Sequence, residues 1–271
     1  MSDILLPGAY ALFLWWSSTG LVLYLDGLHP RTFRRSMNAA TLVFAVSLLG
    51  LLLTRDSTSI AGAIAGFTFG FFAWGWQEIS FYLGYVTGPR RTPCPPGCRG
   101  WRHVWHGVQV TLYHDLKIVA SALVIHLITA GHPNRVGLWS FVILWAMHTS
   151  AKINVFLGVQ NLTEEFLPEH LNYLKSFLTH KPMNWLFPIS VTATTLMAAF
   201  MVHLAAAPGI GEFQRTAYMF LTTLLVIGVL EHWFLVMPLP PTALWQWSLK
   251  SRRRRGGAPR PPGDTGGASG G

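Results

Sequence analysis

The sequence predicts an all-helical, polytopic integral membrane protein: seven transmembrane helices, amino terminus outside and carboxyl terminus in the cytoplasm. Three observations predict it. Of 271 residues, 51% are apolar and only 11% are charged, less than half the quarter usual in soluble domains. The apolar residues come in blocks near the roughly 20 helical residues that cross a ~30 Å bilayer core. The 20 Lys and Arg are divided unevenly between alternate loops, and cytoplasmic loops are the ones that keep positive charge.

The first span, 4–25, has no formal charge from Ile4 to Leu25. It lacks a basic head and a small-residue cleavage signature, so it is expected to remain as an anchor. The second, 38–54, is short and needs its polar flanks to reach the interface. The third, 60–86, carries Gly62, Gly66 and Gly70 at four-residue intervals, which puts them on one face where a neighbouring backbone can come close. That face suits packing within the monomer, or a subunit or pigment-protein contact. The fourth, 104–130, is interrupted by His106, His114, Asp115, Lys117 and His126. The fifth, sixth and seventh run over 136–158, 185–207 and 217–236. Together they make a single helical domain over 1–250, followed by a tail, 251–271, that is basic and then rich in Gly and Pro. Such a composition cannot bury a core, so disorder is expected there.

One side of the membrane receives Arg31, Arg34 and Arg35; Arg90, Arg91, Arg99 and Arg102; Lys175 and Lys181; and Lys250, Arg252 to Arg255 and Arg260. The other receives only Arg55, Arg135 and Arg215, while Lys117 and Lys152 lie inside spans. Fifteen against three sets the orientation. The net charge of +9 is concentrated in these juxtamembrane stretches, which anionic lipid explains more simply than nucleic acid. No internal repeat of the kind that builds transporters is visible.

Charge inside hydrocarbon is costly unless it faces a partner or a wet cavity. Glu78, His114, Asp115, Lys117, His148, Lys152, Glu231 and His232 all fall toward the cytoplasmic half of their spans, with Asn154 close by. His148 and Lys152 share a helix face, as do His114 and Lys117. Three readings stay open. The cluster is a buried ion-pair network with Glu78 and Asp115 neutralising Lys117 or Lys152. Alternatively it is a carboxylate and imidazole metal site of an oxidoreductase, although Glu-x-x-His pairs are absent. Or it is a cavity for a polar ligand or tetrapyrrole head group. His126 and His203, each with an alanine four residues before it, suit helix–helix hydrogen bonding better than a macrocycle.

The loop after the third span holds Cys94, Cys98, His103 and His106. The spacing matches no known zinc finger, and prolines stiffen the segment, so a rigid surface turn with reduced thiols is expected there, ahead of a metal site. The fifth span leads into a connector with acids on the basic side of the membrane, including Asn161, Glu164, Glu165 and His170. Thr163 is placed to cap a short helix whose Leu167, Leu171 and Leu174 form an apolar stripe. Such a helix would lie on the membrane or on a partner, or serve as an ordinary connector.

The connector from Ser150 to Leu171, with Glu78-Ile-Ser-Phe-Tyr-Leu-Gly-Tyr-Val-Thr-Gly-Pro-Arg90 and Tyr113-His114-Asp115, resembles the PuhE family of photosynthetic complex assembly proteins from purple phototrophic bacteria. The resemblance covers about 78–188. It implies a multi-pass protein of the bacterial cytoplasmic (intracytoplasmic) membrane that helps assemble reaction centre and antenna and is linked to bacteriochlorophyll supply. It marks Glu78, Gly88, Pro89, Arg90, His114, Lys152, Asn154, Asn161, Glu164, Glu165, Pro168 and His170 as motif residues, without catalytic roles. His148 and the cysteine pair stand outside the motif.

The expected function is therefore an assembly factor that works by binding rather than turnover, with bacteriochlorophyll or a precursor as ligand ahead of a metal ion. Reaction-centre or light-harvesting subunits, other assembly factors and the lipid bilayer are the expected partners; nucleic acid is not. The rival is a membrane oxidoreductase or pigment-modifying enzyme with a carboxylate and histidine metal site.

Overall fold

The computed structural model describes residues 2–162, 164–237 and 244–249. Seven long helices run in chain order: α1 (Ser2–Asp26), α2 (Pro30–Thr54), α3 (Ile60–Tyr82), α4 (Trp101–Thr129), α5 (Val136–Leu157), α6 (Leu186–Ala205) and α7 (Glu212–Val236). Two 3₁₀ segments, Glu164–Phe166 and Glu169–Phe177, lie between α5 and α6. Among the described residues there is no strand, only an isolated bridge between Val159 and His180. Thr163, the side chain of Glu165 and the predicted tail 251–271 lie outside the described residues.

Six of the seven helices are long and apolar enough to cross a membrane: all but α3. In α3, four glycines, two tryptophans, Gln77 and Glu78 lower the mean hydropathy. Those same residues fit its place, because α3 packs against α1, α2, α4, α5 and α7 and buries most of one side. α7 is the other central helix, with half of its apolar window buried, against 17–28% for the other five. The peripheral helices turn Leu5, Leu12, Phe13, Leu42, Leu53, Leu116, Leu127 and Leu196 outward. So much exposed aliphatic surface is unfavourable in water and matches a lipid surround. The chain is a multi-pass helical membrane protein.

Expected boundaries move at α2, at α3 and at α7, which opens at Glu212 rather than 217, and an expected break in α4 is absent. α2 is not short: Pro30 opens it, and the His29 ring accepts the Arg31 N–H at 3.2 Å, so Arg31, Arg34 and Arg35 form its first turns. Proline suits this position because its missing donor has no helical partner there anyway. α3 stops at Tyr82, short of the expected 86, because Gly84 takes φ +76° and ends the helix. α4 is not broken by its polar residues; it runs unbroken for 29 residues.

The glycine face of α3 is used within the chain. A Cβ at Gly70 would run into the Gly137 backbone of α5, and one at Gly66 into Asn134 and Val136. Small residues on both helices let the two backbones approach. Asn134 fastens the seam by donating to Thr54 O (3.0 Å) and Gly62 O (2.8 Å). Phe67 and Phe220 stack 4.2 Å apart where α3 meets α7, with Tyr10 of α1 edge-on to Phe220.

Candidate functional site

A cavity of about 310 Å³ opens between α1, α3, α5 and α7. Its wall is mostly aromatic and aliphatic, with Phe71, Trp74, Leu144, Met147 and Ile227. Two carboxylates and one imidazole line it, one from each of three helices: Glu78, His148 and Glu231. Glu78 Oε1 stands 3.4 Å from His148 Nδ1. Glu231 Oε1 accepts the indole N–H of Trp15 at 2.7 Å. Behind the first pair sits His114, buried, its ring 5.7 Å from that of His148 and 4.7 Å from Phe81. Neither His114 nitrogen has a hydrogen-bond partner among the described residues, nor does Glu78 Oε1. Ligand atoms of Glu78, His114 and His148 lie within 4.8 Å of one another. Phe166 and Trp245 also line the cavity, packed edge to face at 5.9 Å, and Trp245 meets Trp15 at 5.3 Å.

The nine predicted cluster residues do not share this cavity. Glu78, His148 and Glu231 line it, and His114 lies in contact behind them. Asp115 and Lys152 pair with each other on the α4–α5 side, Lys152 Nζ to Asp115 Oδ1 at 2.5 Å, while Thr111 donates to Asp115 Oδ2 at 2.8 Å. Lys117 points back along α3, donating to Gln77 O at 3.3 Å and to Ser80 Oγ and lying 4.6 Å over the Trp76 ring. Asn154 and His232 belong to a third network, in which the Ser150 hydroxyl meets His232 Nε2 (2.8 Å) and Ser190 (2.9 Å), and Asn154 Nδ2 reaches Ser190 Oγ at 3.2 Å. That network joins α5, α6 and α7. Asp115 therefore neutralises Lys152 as the ion-pair reading expects, whereas Glu78 faces a histidine and not Lys117.

The connector also differs from expectation. It forms 3₁₀ turns, and Leu171, Leu174 and Phe177 are buried with Phe81 and Val110 of α3 and α4, Leu167 packing beside them. The apolar stripe therefore packs against this chain's own core. His170 Nε2 lies 2.9 Å from Tyr82 O and its ring packs on Phe33. Asn161 donates to Phe234 O (2.8 Å) and to Met237 O. Glu164 stands 3.7 Å from Lys175. Arg90 and Gly88 have a structural part: the Arg90 N–H donates to Gln109 O at 3.4 Å and the Thr87 carbonyl accepts the His114 N–H at 2.8 Å, drawing the loop backbone onto α4 where a Cβ on Gly88 would strike Gln109 O.

Sequence reasoning missed Trp15, Phe166 and Trp245 as cavity walls. Trp15 and Trp245 are indistinguishable by type from the other tryptophans, and no spacing ties α1 to a segment after α7. It also missed Ser150 and Ser190, whose hydroxyls carry no signal of depth or facing. His126 and His203 are exposed; His126 Nδ1 lies 3.3 Å from the guanidinium of Arg135, at the amino end of α5. In the loop after α3, burial raises the Cys94 thiol above its ordinary range, with Cys98 adding to the effect and Arg90 opposing it.

The model of a protein family of unknown function, DUF3623, matches residues 1–256. The chain belongs to this family. This DUF3623 protein is 34% identical over 260 residues to a Rhodobacter capsulatus protein described as an uncharacterized 30.4 kDa protein in the puhA 5′ region, and the match covers 93% of each chain. No solved structure matches it. The match to the family takes in all seven helices and every residue of the cavity wall.

Proposed function

We propose that this DUF3623 protein is an assembly factor of the bacterial photosynthetic apparatus, of the PuhE kind, embedded in the cytoplasmic membrane and its intracytoplasmic extensions. All seven helices cross, the amino terminus lies outside and the carboxyl terminus in the cytoplasm. The relative's place in the puhA region supports a photosynthetic context, and the fifteen-to-three division of Lys and Arg supports the orientation. α3 crosses as the shielded central helix, which needs less hydropathy because little of it meets lipid.

The observation that carries the binding role is the apolar cavity with Glu78, His148 and Glu231 on its wall and the unpartnered His114 behind them. Polar atoms left without partners in a low-dielectric interior are costly, so the arrangement favours a ligand that meets Glu78 and His148 on the cavity wall. Apolar walls with a few convergent polar groups are the usual form of a small-molecule site. A carboxylate beside one imidazole nitrogen leaves the other as a metal ligand of raised basicity, which suits the magnesium of bacteriochlorophyll or a precursor. At about 310 Å³ the cavity does not enclose a whole pigment. His148 and Glu78 would hold its metal, with the Glu231 carboxyl available to its polar substituents and Trp15 and Trp245 as apolar wall. Held this way, the pigment is presented to nascent reaction-centre or light-harvesting subunits without turnover.

The test replaces Glu78, His148 and Glu231 singly by Gln in photosynthetically grown cells. Assembled reaction centre and antenna are read by absorbance, and the protein itself by immunoblot. At least two variants should lose assembled complex, by about tenfold if ligation is lost, while the protein still accumulates. Wild-type spectra in all three would remove the cavity from the function. A second reading, a metal-dependent oxidoreductase, is favoured by one observation: Glu78, His114 and His148 converge within 4.8 Å, and carboxylate with imidazole suits iron. Stoichiometric iron lost in the Glu78 variant would support it over pigment binding.

A further inference from the structure

Cys94, Cys98, His103 and His106 lie outside the cavity and have no part in the proposed binding role. Their geometry begins with the sequence Cys-Pro-Pro-Gly-Cys. The Cys98 N–H donates to Pro95 O at 3.1 Å, and Gly97 has φ +75°. Proline followed by a left-handed glycine at the two central positions is the signature of a type II turn, and this turn folds the two cysteines toward one another. Gly100, with φ +63°, then redirects the chain into α4, where His103 and His106, three residues apart, share a face. Cys94 Sγ comes to rest 3.2 Å from His103 Nδ1 and 3.9 Å from His106 Nδ1, and Cys98 Sγ lies 3.3 Å from His106 Nδ1.

These separations fit a common metal. With Zn–S near 2.3 Å and Zn–N near 2.05 Å, a tetrahedral site places sulfur and nitrogen about 3.6 Å apart and two sulfurs about 3.8 Å apart. One atom each from Cys94, Cys98 and His106 lies within 4.8 Å of the others, and both cysteines are free thiols. The donors are also held in place. The Cys94 N–H donates to Ser176 Oγ at 2.8 Å, Arg90 binds Pro93 O at 2.8 Å, and the His103 ring is stacked between Phe156 and Phe177 at 5.0 and 5.7 Å. Two thiolates cancel a divalent charge, so Arg90, Arg91, Arg99 and Arg102 nearby face no added cation.

We propose that Cys94, Cys98 and His106 bind one divalent zinc-class cation, with His103 as the residue that positions the Cys94 sulfur. The cation ties the α3–α4 loop to the first turns of α4, and through Ser176, Phe156 and Phe177 it holds the connector and the end of α5 against them.

The full chain, purified in mild detergent with a phosphine reductant, should carry about one zinc per chain. After chelator treatment, cobalt(II) should restore a thiolate-to-metal charge-transfer band with the visible bands of tetrahedral cobalt. Cys98→Ser and His106→Gln should lose the cation on dialysis, and His103→Gln should still bind it, with retention weakened by about 10–100-fold and a shifted charge-transfer band. Glu78→Gln should keep both metal and spectrum, which separates this site from the cavity. A wild-type chain that holds no zinc and gives no thiolate–cobalt band would overturn the proposal without recourse to any variant. So would zinc unchanged in both Cys98→Ser and His106→Gln, an iron–sulfur absorbance, or a Cys94–Cys98 disulfide that survives reductant.

Discussion

Replacing Gly70 by alanine puts a methyl carbon where α5 already stands. The new Cβ lies 2.6 Å from Gly137 Cα and closer still to the Gly137 carbonyl oxygen. Ordinary carbon contacts begin near ~3.5 Å, so the seam must open by about 1 Å. Both obstructing atoms are backbone, and no rotamer change can relieve them. Parting two helices by that much forfeits a quarter to a half of the dispersion energy at each contact along the seam, and overpacking of this kind costs about 1–3 kcal/mol. Gly75, about one and a half turns further along the same helix, has no atom within 4 Å of its would-be Cβ. Gly75→Ala should therefore be neutral, or stabilising by about 0.5–1 kcal/mol through backbone entropy. The assay is unfolding in mixed micelles with rising dodecyl sulfate, followed by far-ultraviolet circular dichroism. Gly70→Ala should unfold at a lower detergent fraction than wild type and Gly75→Ala should not. Equal stability for Gly70→Ala and wild type, or equal losses in the two variants, would refute the close-approach argument.

Asp115→Asn strands Lys152, whose partner oxygen lies at 2.5 Å. Both side chains are about a third exposed, so the loss should be about 1–2 kcal/mol, below that of a fully buried pair; Lys152→Met in the same chain should recover most of it in the micelle assay. Leu171→Ala removes a buried side chain beneath the connector and should cost about 2–5 kcal/mol if the site cannot collapse. Its readout is faster tryptic cleavage at Lys175 and Lys181, and an unchanged cleavage rate would mean the connector is held by other contacts.

Some of this was legible in the sequence because it depends on local composition. The cost of placing a peptide group or charge in hydrocarbon is a property of the stretch itself, so Val136–Leu157 stands out as a helix almost to the residue. Helix ends were less legible, because they depend on caps: the expected second span starts eight residues after Pro30, the observed first residue of α2. The glycine face of α3 signalled a close approach, but the identity of the approaching helix depended on Gly137, far along the chain. The connector's Leu167, Leu171 and Leu174 have the same spacing whether they meet lipid, a partner or their own core, so the pattern could not choose.

What the sequence by itself determined is the position of each charged residue along its helix, since that follows from residue number and a fixed rise. Only the tertiary structure decided direction. Glu78, Asp115 and Lys152 all sit on apolar helices, yet Glu78 faces the cavity while Asp115 and Lys152 face each other. The physical reason is that each helix's rotation about its axis is set by the packing of all its neighbours at once, through contacts such as Gly70 on Gly137 and Phe67 on Phe220, and no single segment contains that information.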